Sequence, residues 1–274
     1  MQGNVYLLYG PVSNATIQVG KDGVLLVDTM NAAMAPQITA EIKKLTPLPV
    51  RYIIDTSMTA DHIGGNADLA KAGAPGASVP DGGGATVIAQ QNVLNHLTRP
   101  VTGKETPPPQ RGLPNDEYDT PTKDFYFNGE PVIVFHEAKA HTDGDSIVLF
   151  RRSDVISAGD IFTPDRYPEI DLAHGGSVEG LIAALNHLLH LTVPEHLQDG
   201  GTRVIPGHGR LCNEADVVEY RDMVTIVRDR IQDMIHKGQT LAQVKAARPT
   251  RDYDPQYGPG DQFIETVYKS LGGK

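Results

Sequence analysis

Short, mainly apolar runs punctuated by turn residues open the chain and predict strands. Val5 to Tyr9 and Ala15 to Val19 are two such runs, and Lys21-Asp22-Gly23 reads as a hairpin turn into a third, Val24 to Asp28. The period then changes. Pro36 at a first helical position precedes Ile38, Ile42 and Leu45 at helical spacing, and Pro47 with Pro49 stops that helix before a strand from Val50 to Asp55. Ile53 and Ile54 are adjacent, so this strand is expected to be buried on both faces, as central strands covered by helices are.

Residues 73–84 are rich in glycine and 99–124 in proline, threonine and charge without a sustained period, and both read as surface loops. No Lys-Ser/Thr pair follows the triple glycine, so flexibility is expected of it rather than phosphate cradling. The strand habit returns at Tyr126-Phe127, with Asn128-Gly129 as a hairpin signal, then at Pro131 to Phe135, Ile147 to Phe150 and Val155-Ile156. An apolar helix from Val178 to Leu191, a strand from Thr202 to Ile205 and an amphipathic helix from about Asp216 to Lys237 complete the pattern. Asn213 and Asp216 are spaced as a capping pair, and Gly238 ends that last helix. Two sheets, each followed by helices, predict a four-layer αββα sandwich rather than a doubly wound parallel sheet. The expectation is one domain over residues 1–274, with C-terminal helices of about 213–274 packed on it.

Composition narrows the functions. A net charge of -10 opposes a grip on phosphate backbones, so no nucleic-acid partner is expected. No apolar run approaches the ~20 residues that span a bilayer, so no membrane role is expected. The N-terminus shows no secretory signal, but the chain begins almost inside its first strand, as a protein trimmed of a leader would, leaving cytoplasm and periplasm both open. The single cysteine, Cys212, excludes an intrachain disulfide.

Five polar spots fall at the ends of apolar strands, where loops can bring distant residues to one rim: Asp28, the segment 55–66, His141, Asp160 and His208. The richest contains Asp61 and His62 side by side, followed by Gly64-Gly65 and Asn66, and a tight loop could turn both side chains to one cation. Ser57-Met-Thr59-Ala-Asp61-His62-Ile-Gly64-Gly65 resembles the signature of the metallo-β-lactamase superfamily, usually His-x-His-x-Asp-His-x-Gly-Gly. The resemblance continues in order through Ala140-His141-Thr142 with Ser146, Ser157-Ala-Gly-Asp160, and Pro206-Gly207-His208-Gly209. It implies the αββα metallo-β-lactamase fold and a two-metal site.

Two departures change what it implies. The first metal of that family takes three histidines, and two of those positions are here Ser57 and Thr59, leaving His141. Neutral hydroxyls are poor zinc ligands, so this degenerate first site is expected to be empty or weak. The second site implied by the resemblance, Asp61, His62 and His208 with Asp160 bridging, is complete. Some lactamases of the superfamily also lack one first-site histidine and work with one zinc ion. The expectation is therefore one Zn²⁺ per chain, acidifying a bound water that attacks a small-molecule ester, lactone, amide (a β-lactam included) or thioester. Asp61 and His141 would be catalytic, Asp61 orienting the nucleophile or taking its proton and His141 holding substrate or donating a proton. The alternative is a catalytically degenerate member that binds a small molecule or partner without turnover. His174, in a Gly-rich turn after Asp160, is open between substrate contact and loop structure, and Ser57 with His141 and Asp160 could instead make a nucleophilic triad. The other histidines, among them His187, His190 and His196, read as surface or packing residues.

Overall fold

The computed structural model describes residues 2–80, 83–99, 112–198 and 200–273. Residues 81–82 of the glycine-rich stretch and 100–111 of the proline-rich one lie outside the described residues. The first sheet runs in chain order: β1 (Val5–Leu8), β2 (Ala15–Gly20), β3 (Gly23–Val27), β4 (Val50–Ile54), β5 (Thr86–Gln90) and β6 (Asp116–Tyr118). β1, β2 and β3 pair antiparallel as a meander, whereas β3 to β6 pair parallel. Parallel neighbours need crossovers, which α1 (Ala35–Leu45) supplies between β3 and β4, and α2 (Ala60–Ile63) with α3 (Asn66–Ala72) between β4 and β5. α4 (Gln91–Thr98) follows β5.

The second sheet has the order β11-β10-β9-β8-β7, from β7 (Thr122–Phe127), β8 (Glu130–Glu137), β9 (Asp145–Phe150), β10 (Val155–Gly159) and β11 (Arg203–Pro206). Only its β10–β11 pair is parallel, bridged by α5 (Val178–Leu191). α6 (Glu214–His236) starts at a capping box made by Asn213 and Asp216, and α7 (Leu241–Ala247), α8 (Asp254–Tyr257) and α9 (Asp261–Ser270) complete the chain. Gly238, just beyond α6, takes a φ of 73°.

Side-chain alternation along the strands builds the layers. Leu25, Val27 and Ile54 of one sheet meet Val132, Val134, Val148 and Phe150 of the other in a core between the sheets. Their neighbours Val24, Leu26 and Ile53 point the opposite way, against Ile38 and Ile42 of α1 and Leu69 of α3. On the far side Ile147 and Ile156 pack under Leu181 and Leu185 of α5 and Val217, Tyr220 and Val224 of α6. The order helix, sheet, sheet, helix is the four-layer sandwich expected. Among the described residues no helix is long and apolar enough to cross a membrane.

Two local expectations need correction. The stretch 99–124 is not all loop, since its described part supplies β6 and the start of β7. Asn115 exchanges hydrogen bonds with Val87, its N–H reaching the Val87 carbonyl at 3.0 Å and its side-chain oxygen the Val87 N–H at 2.8 Å. That starts a three-residue, charge-bearing edge strand, a form that discourages further pairing. Asp61 and His62 lie on the single helical turn of α2 rather than on an open loop, because Thr59 has the extended backbone of an N-cap and its carbonyl receives the N–H of His62 at 2.9 Å.

One polar group ties the two sheets. Glu130, 2% exposed, accepts from Gln18 Nε2 at 2.8 Å across the sandwich, from Ser153 Oγ at 2.8 Å and from the N–H groups of Arg152 and Ser153 at 3.0 and 2.9 Å. Glu130→Ala leaves four donors without their acceptor and should lower unfolding stability by about 3 kcal/mol or more, read from urea denaturation. A loss within experimental error would show that the sheets do not depend on this bridge.

Candidate metal centre

The parallel pairs β3–β4 and β10–β11 end at one rim, and the loop between β8 and β9 reaches the same place. Asp28 follows β3 in a left-handed conformation, φ 62°, which aspartate tolerates better than most residues. Its N–H extends the ladder to the Ile54 carbonyl at 2.9 Å. Its carboxylate then accepts from the Thr56 N–H at 2.9 Å, from Thr56 Oγ1 at 2.7 Å and from His62 Nδ1 at 2.7 Å. The His62 carbonyl receives the Thr29 N–H at 2.7 Å, so α2 is clamped to the turn after β3. Gly64 and Gly65 make that clamp possible, because a Cβ at either would come within 2.5 Å of a backbone oxygen, that of Ala60 or of Thr29.

With Nδ1 tied to Asp28, the fully buried His62 ring presents Nε2 to the rim. His208, between Gly207 and Gly209 at the end of β11, does the same: its Nδ1 donates to the Val12 carbonyl and its Nε2 faces inward. Asp160, beyond β10, places Oδ1 3.0 Å from His62 Nε2 and 3.1 Å from His208 Nε2. Asp61 Oδ2 lies 3.4 Å from His208 Nε2. Asp61, His62 and His208 each offer a ligand atom within 4.8 Å of the others, a grouping of metal-binding residue types among the described residues. Burial works against charge on His62 and Asp160, but each supplies the other's counter-charge. Asp160 and Asp28 hold His62 well above the usual histidine range, and His62, His208 and His141 hold Asp160 well below the usual carboxylate range. Behind them Asp55 is buried with both oxygens on Asn66 Nδ2, at 2.9 and 3.0 Å, and desolvation pushes its pKa well up.

The positions that the sequence resemblance assigns to a first metal lie on the other side of Asp160. Thr59 Oγ1 donates to Asp160 Oδ2 at 3.4 Å, and Ser57 Oγ lies 3.2 Å from Thr59 Oγ1. Ser57 thus engages Thr59, and among the described residues no hydrogen bond joins it to His141, the contact a nucleophilic triad requires. His141 Nδ1 is buried without a hydrogen bond, 3.6 Å from Asp145 Oδ1 and 3.8 Å from Asp160 Oδ2. His174 is turned elsewhere. Its Nδ1 bonds Asp171 Oδ2 at 2.6 Å, its Nε2 accepts from Arg99 at 2.7 Å, and its ring meets His96 edge-on at 5.0 Å. It braces the loop and does not line the cavity over Asp160. His187, which the sequence places among surface or packing residues, bonds Glu137 at 2.5 Å.

That cavity is walled by Thr59, Asp61, His141, Asp160 and His208. Thr163, Arg166 and Glu169, from the segment that follows Asp160, complete it. None of the described residues of 73–84 or 99–124 joins them. The sequence pattern passes over two contributors: Asp28, visible as a strand-end acid but without a role, and the Val12 carbonyl, which no side-chain pattern can signal.

Burial opposes charge on the His141 imidazole, yet the Asp145 and Asp160 carboxylates outweigh it and hold its pKa up at about 9. In the metal-free protein His141 should therefore stay protonated through neutral pH. Its folded value is above the unfolded one, so the stabilisation is full below the ordinary histidine range and is lost as pH rises through about 9. An NMR titration of the ring carbons reads the midpoint, and a value at or below the ordinary histidine pKa would refute this account.

The sequence matches the profile of the metallo-beta-lactamase superfamily over residues 8–208. Among solved structures it is similar to the stereoselective inverting sec-alkylsulfatase Pisa1 from Pseudomonas sp., with a TM-score of 0.73 and 16% identity, over 97% of this chain and 48% of that one. The chain thus spans about half the length of that sulfatase. It is also similar to a metallo-beta-lactamase from Pontibacter korlensis (TM-score 0.61, 16% identity, 82% of this chain and 96% of that one). A metallo-beta-lactamase family protein from Thermus thermophilus gives a TM-score of 0.62 at 18% identity, over 84% of this chain and 82% of that one. At these identities the likeness is one of fold. No curated protein matches the sequence. With the profile spanning well over half its length, the chain belongs to the metallo-beta-lactamase superfamily.

Proposed function

We propose that the chain is a hydrolase that holds one zinc ion through Asp61, His62, Asp160 and His208 and cleaves a small-molecule ester, lactone, amide (a β-lactam included) or thioester. One observation carries this reading: both imidazoles have Nδ1 anchored, His62 by Asp28 and His208 by the Val12 carbonyl, while both Nε2 atoms converge on Asp160. Outer hydrogen bonds of this kind fix the tautomer and aim of metal-binding histidines. Two imidazole nitrogens with carboxylate oxygens are a donor set that zinc accepts. Superfamily membership supports hydrolysis in general, and the likeness to an alkylsulfatase adds sulfate esters to the substrates worth testing.

A zinc ion at these ligands would bring the pKa of a water it holds toward ~7 and polarise the bond under attack. Asp61, half-buried on the cavity wall, can orient the attacking water or take its proton. His141, with its proton held by Asp145 and Asp160, can donate to the leaving group. Ser57 and Thr59 contribute hydrogen-bonding hydroxyls where two metal-binding imidazoles would otherwise stand. Those same two residues favour the second reading, a protein that binds a small molecule or partner without turnover.

The two readings separate on metal content and turnover. Purified protein should take up one zinc ion per chain and hydrolyse at least one member of a panel of esters, thioesters, β-lactams and sulfate esters. His62→Ala or His208→Ala should abolish both properties. Protein that refuses added zinc ends the hydrolase reading, and zinc uptake without turnover on the panel moves the balance to the binding one. Asp28→Ala tests the anchoring separately: it should weaken zinc affinity about 10–100-fold in chelator competition, and an unchanged affinity would remove Asp28 from the site.

A further inference from the structure

Arg166 and Glu169 line both the cavity over Asp160 and a larger groove that opens from it. The far wall of the groove is built by Tyr257, Gln262, Phe263 and Thr266, beyond the span of the superfamily profile. Both charged side chains are exposed, and among the described residues neither has an ion pair, although they stand only three positions apart. The backbone between them is fixed. Tyr167 is 7% exposed, its ring stacks on Phe263 at 5.1 Å, and its hydroxyl lies 3.1 Å from the Thr250 carbonyl and 3.0 Å from Asp254 Oδ1. Pro168 locks the next φ. A positive and a negative group are thus held on one rigid segment without cancelling each other.

Their signs limit what can lie in the groove. The carboxylates of Asp61 and Asp160 already face His62, His208 and His141. His141, which also lines the groove, stands between Asp145 and Asp160 at 3.6 and 3.8 Å. Among the described lining residues Arg166 and Glu169 are thus the two charged groups without an ion-pair partner. Asp171, which also lines the groove, is engaged by His174. An anion gains at Arg166 and is opposed by Glu169, a cation the reverse, and a ligand with both charges satisfies both. We propose that the groove selects a zwitterionic substrate, an amino-acid or short-peptide derivative with a free carboxylate at Arg166 and a free ammonium at Glu169. This rests on the hydrolase reading in one respect only, that the groove leads to a reacting centre.

Calorimetry with four ligands of one size tests it: L-phenylalanine, its amide, its N-acetyl derivative and the N-acetyl amide, in mildly acidic buffer. These are zwitterion, cation, anion and neutral molecule. Phenylalanine should bind about fivefold more tightly than either singly charged ligand, the yield of one exposed ion pair. Arg166→Gln should erase the preference for phenylalanine over its amide, and Glu169→Gln the preference over the N-acetyl form. Both residues are exposed, and circular dichroism verifies that the variants fold. Equal binding of the four ligands, undetectable binding of all of them, or an unchanged ranking in the variants overturns the proposal. The titrations need no turnover and run on metal-free and zinc-loaded protein alike. A failure to take up zinc therefore defeats the hydrolase reading while leaving the ranking to be judged by itself.

Discussion

The buried hydrogen bond between Asp28 and His62 is the interaction on which the rim of this molecule depends. It requires β3 and β4 to run parallel, so that both strands release their chains at the same edge, and it requires Asp28 to turn left-handed at once. A carboxylate with 3% of its side chain exposed would be costly to desolvate alone. Three donors answer it: the Thr56 N–H, the Thr56 hydroxyl and the His62 ring. The satisfied carboxylate then fixes which nitrogen of His62 faces outward, and the position of Asp160 follows from that nitrogen. A strand register in one sheet is thereby converted into the position of a charge carried by the other.

Much of this was legible in the residues, for physical reasons. The helices α1, α5 and α6 have strong periodicity with proline, glycine or capping residues at their ends, and the structure gives them almost the limits that pattern predicts. The strands that flank the rim are short apolar runs ending in the polar residues that matter. β5 escapes the pattern because Thr86–Gln90 is buried on both faces, without alternation, and follows directly on a glycine-rich stretch. The helical turn of α2 has four residues, too few for a helical period to show. The four acids and imidazoles of the candidate centre were found through the order of a motif, whereas Asp28 required the pairing of two strands, which no linear spacing reveals.

The exchange of imidazoles for Ser57 and Thr59 alters the electrostatics more than the packing. Both hydroxyls are uncharged hydrogen-bonding groups, Thr59 donating to the Asp160 carboxylate and Ser57 meeting Thr59, and need no counter-charge. His141 is left on that flank of Asp160, with Asp145 behind it. The Thr142 N–H and hydroxyl each lie 2.6 Å from the Asp145 carboxylate, which stops Asp145 from swinging forward to form a close bond with the ring. His141 is therefore charged by its surroundings without being hydrogen-bonded by them, an arrangement suited to passing a proton outward. On the opposite flank His62 is hydrogen-bonded at both nitrogens, and His208 is anchored at Nδ1 with Nε2 3.1 Å from Asp160 Oδ1.

The wall opposite the rim comes from the C-terminal helices, and its position is governed by aromatic packing. Tyr220 of α6 packs edge-on against Phe162, two residues beyond Asp160, and its hydroxyl lies 2.9 Å from that of Thr163. Tyr257 lies 5.9 Å from Tyr220 and 5.5 Å from Tyr167, which in turn stacks on Phe263. This chain of rings joins the core beneath the second sheet to the segment that bears Arg166 and Glu169. A substitution within it would move the groove relative to the acids and imidazoles rather than merely loosen a helix, because the rings connect the two through close contact at every step. The family motif at the strand ends therefore specifies what can be held at the rim. The tyrosine and phenylalanine contacts beyond it specify what can lie alongside.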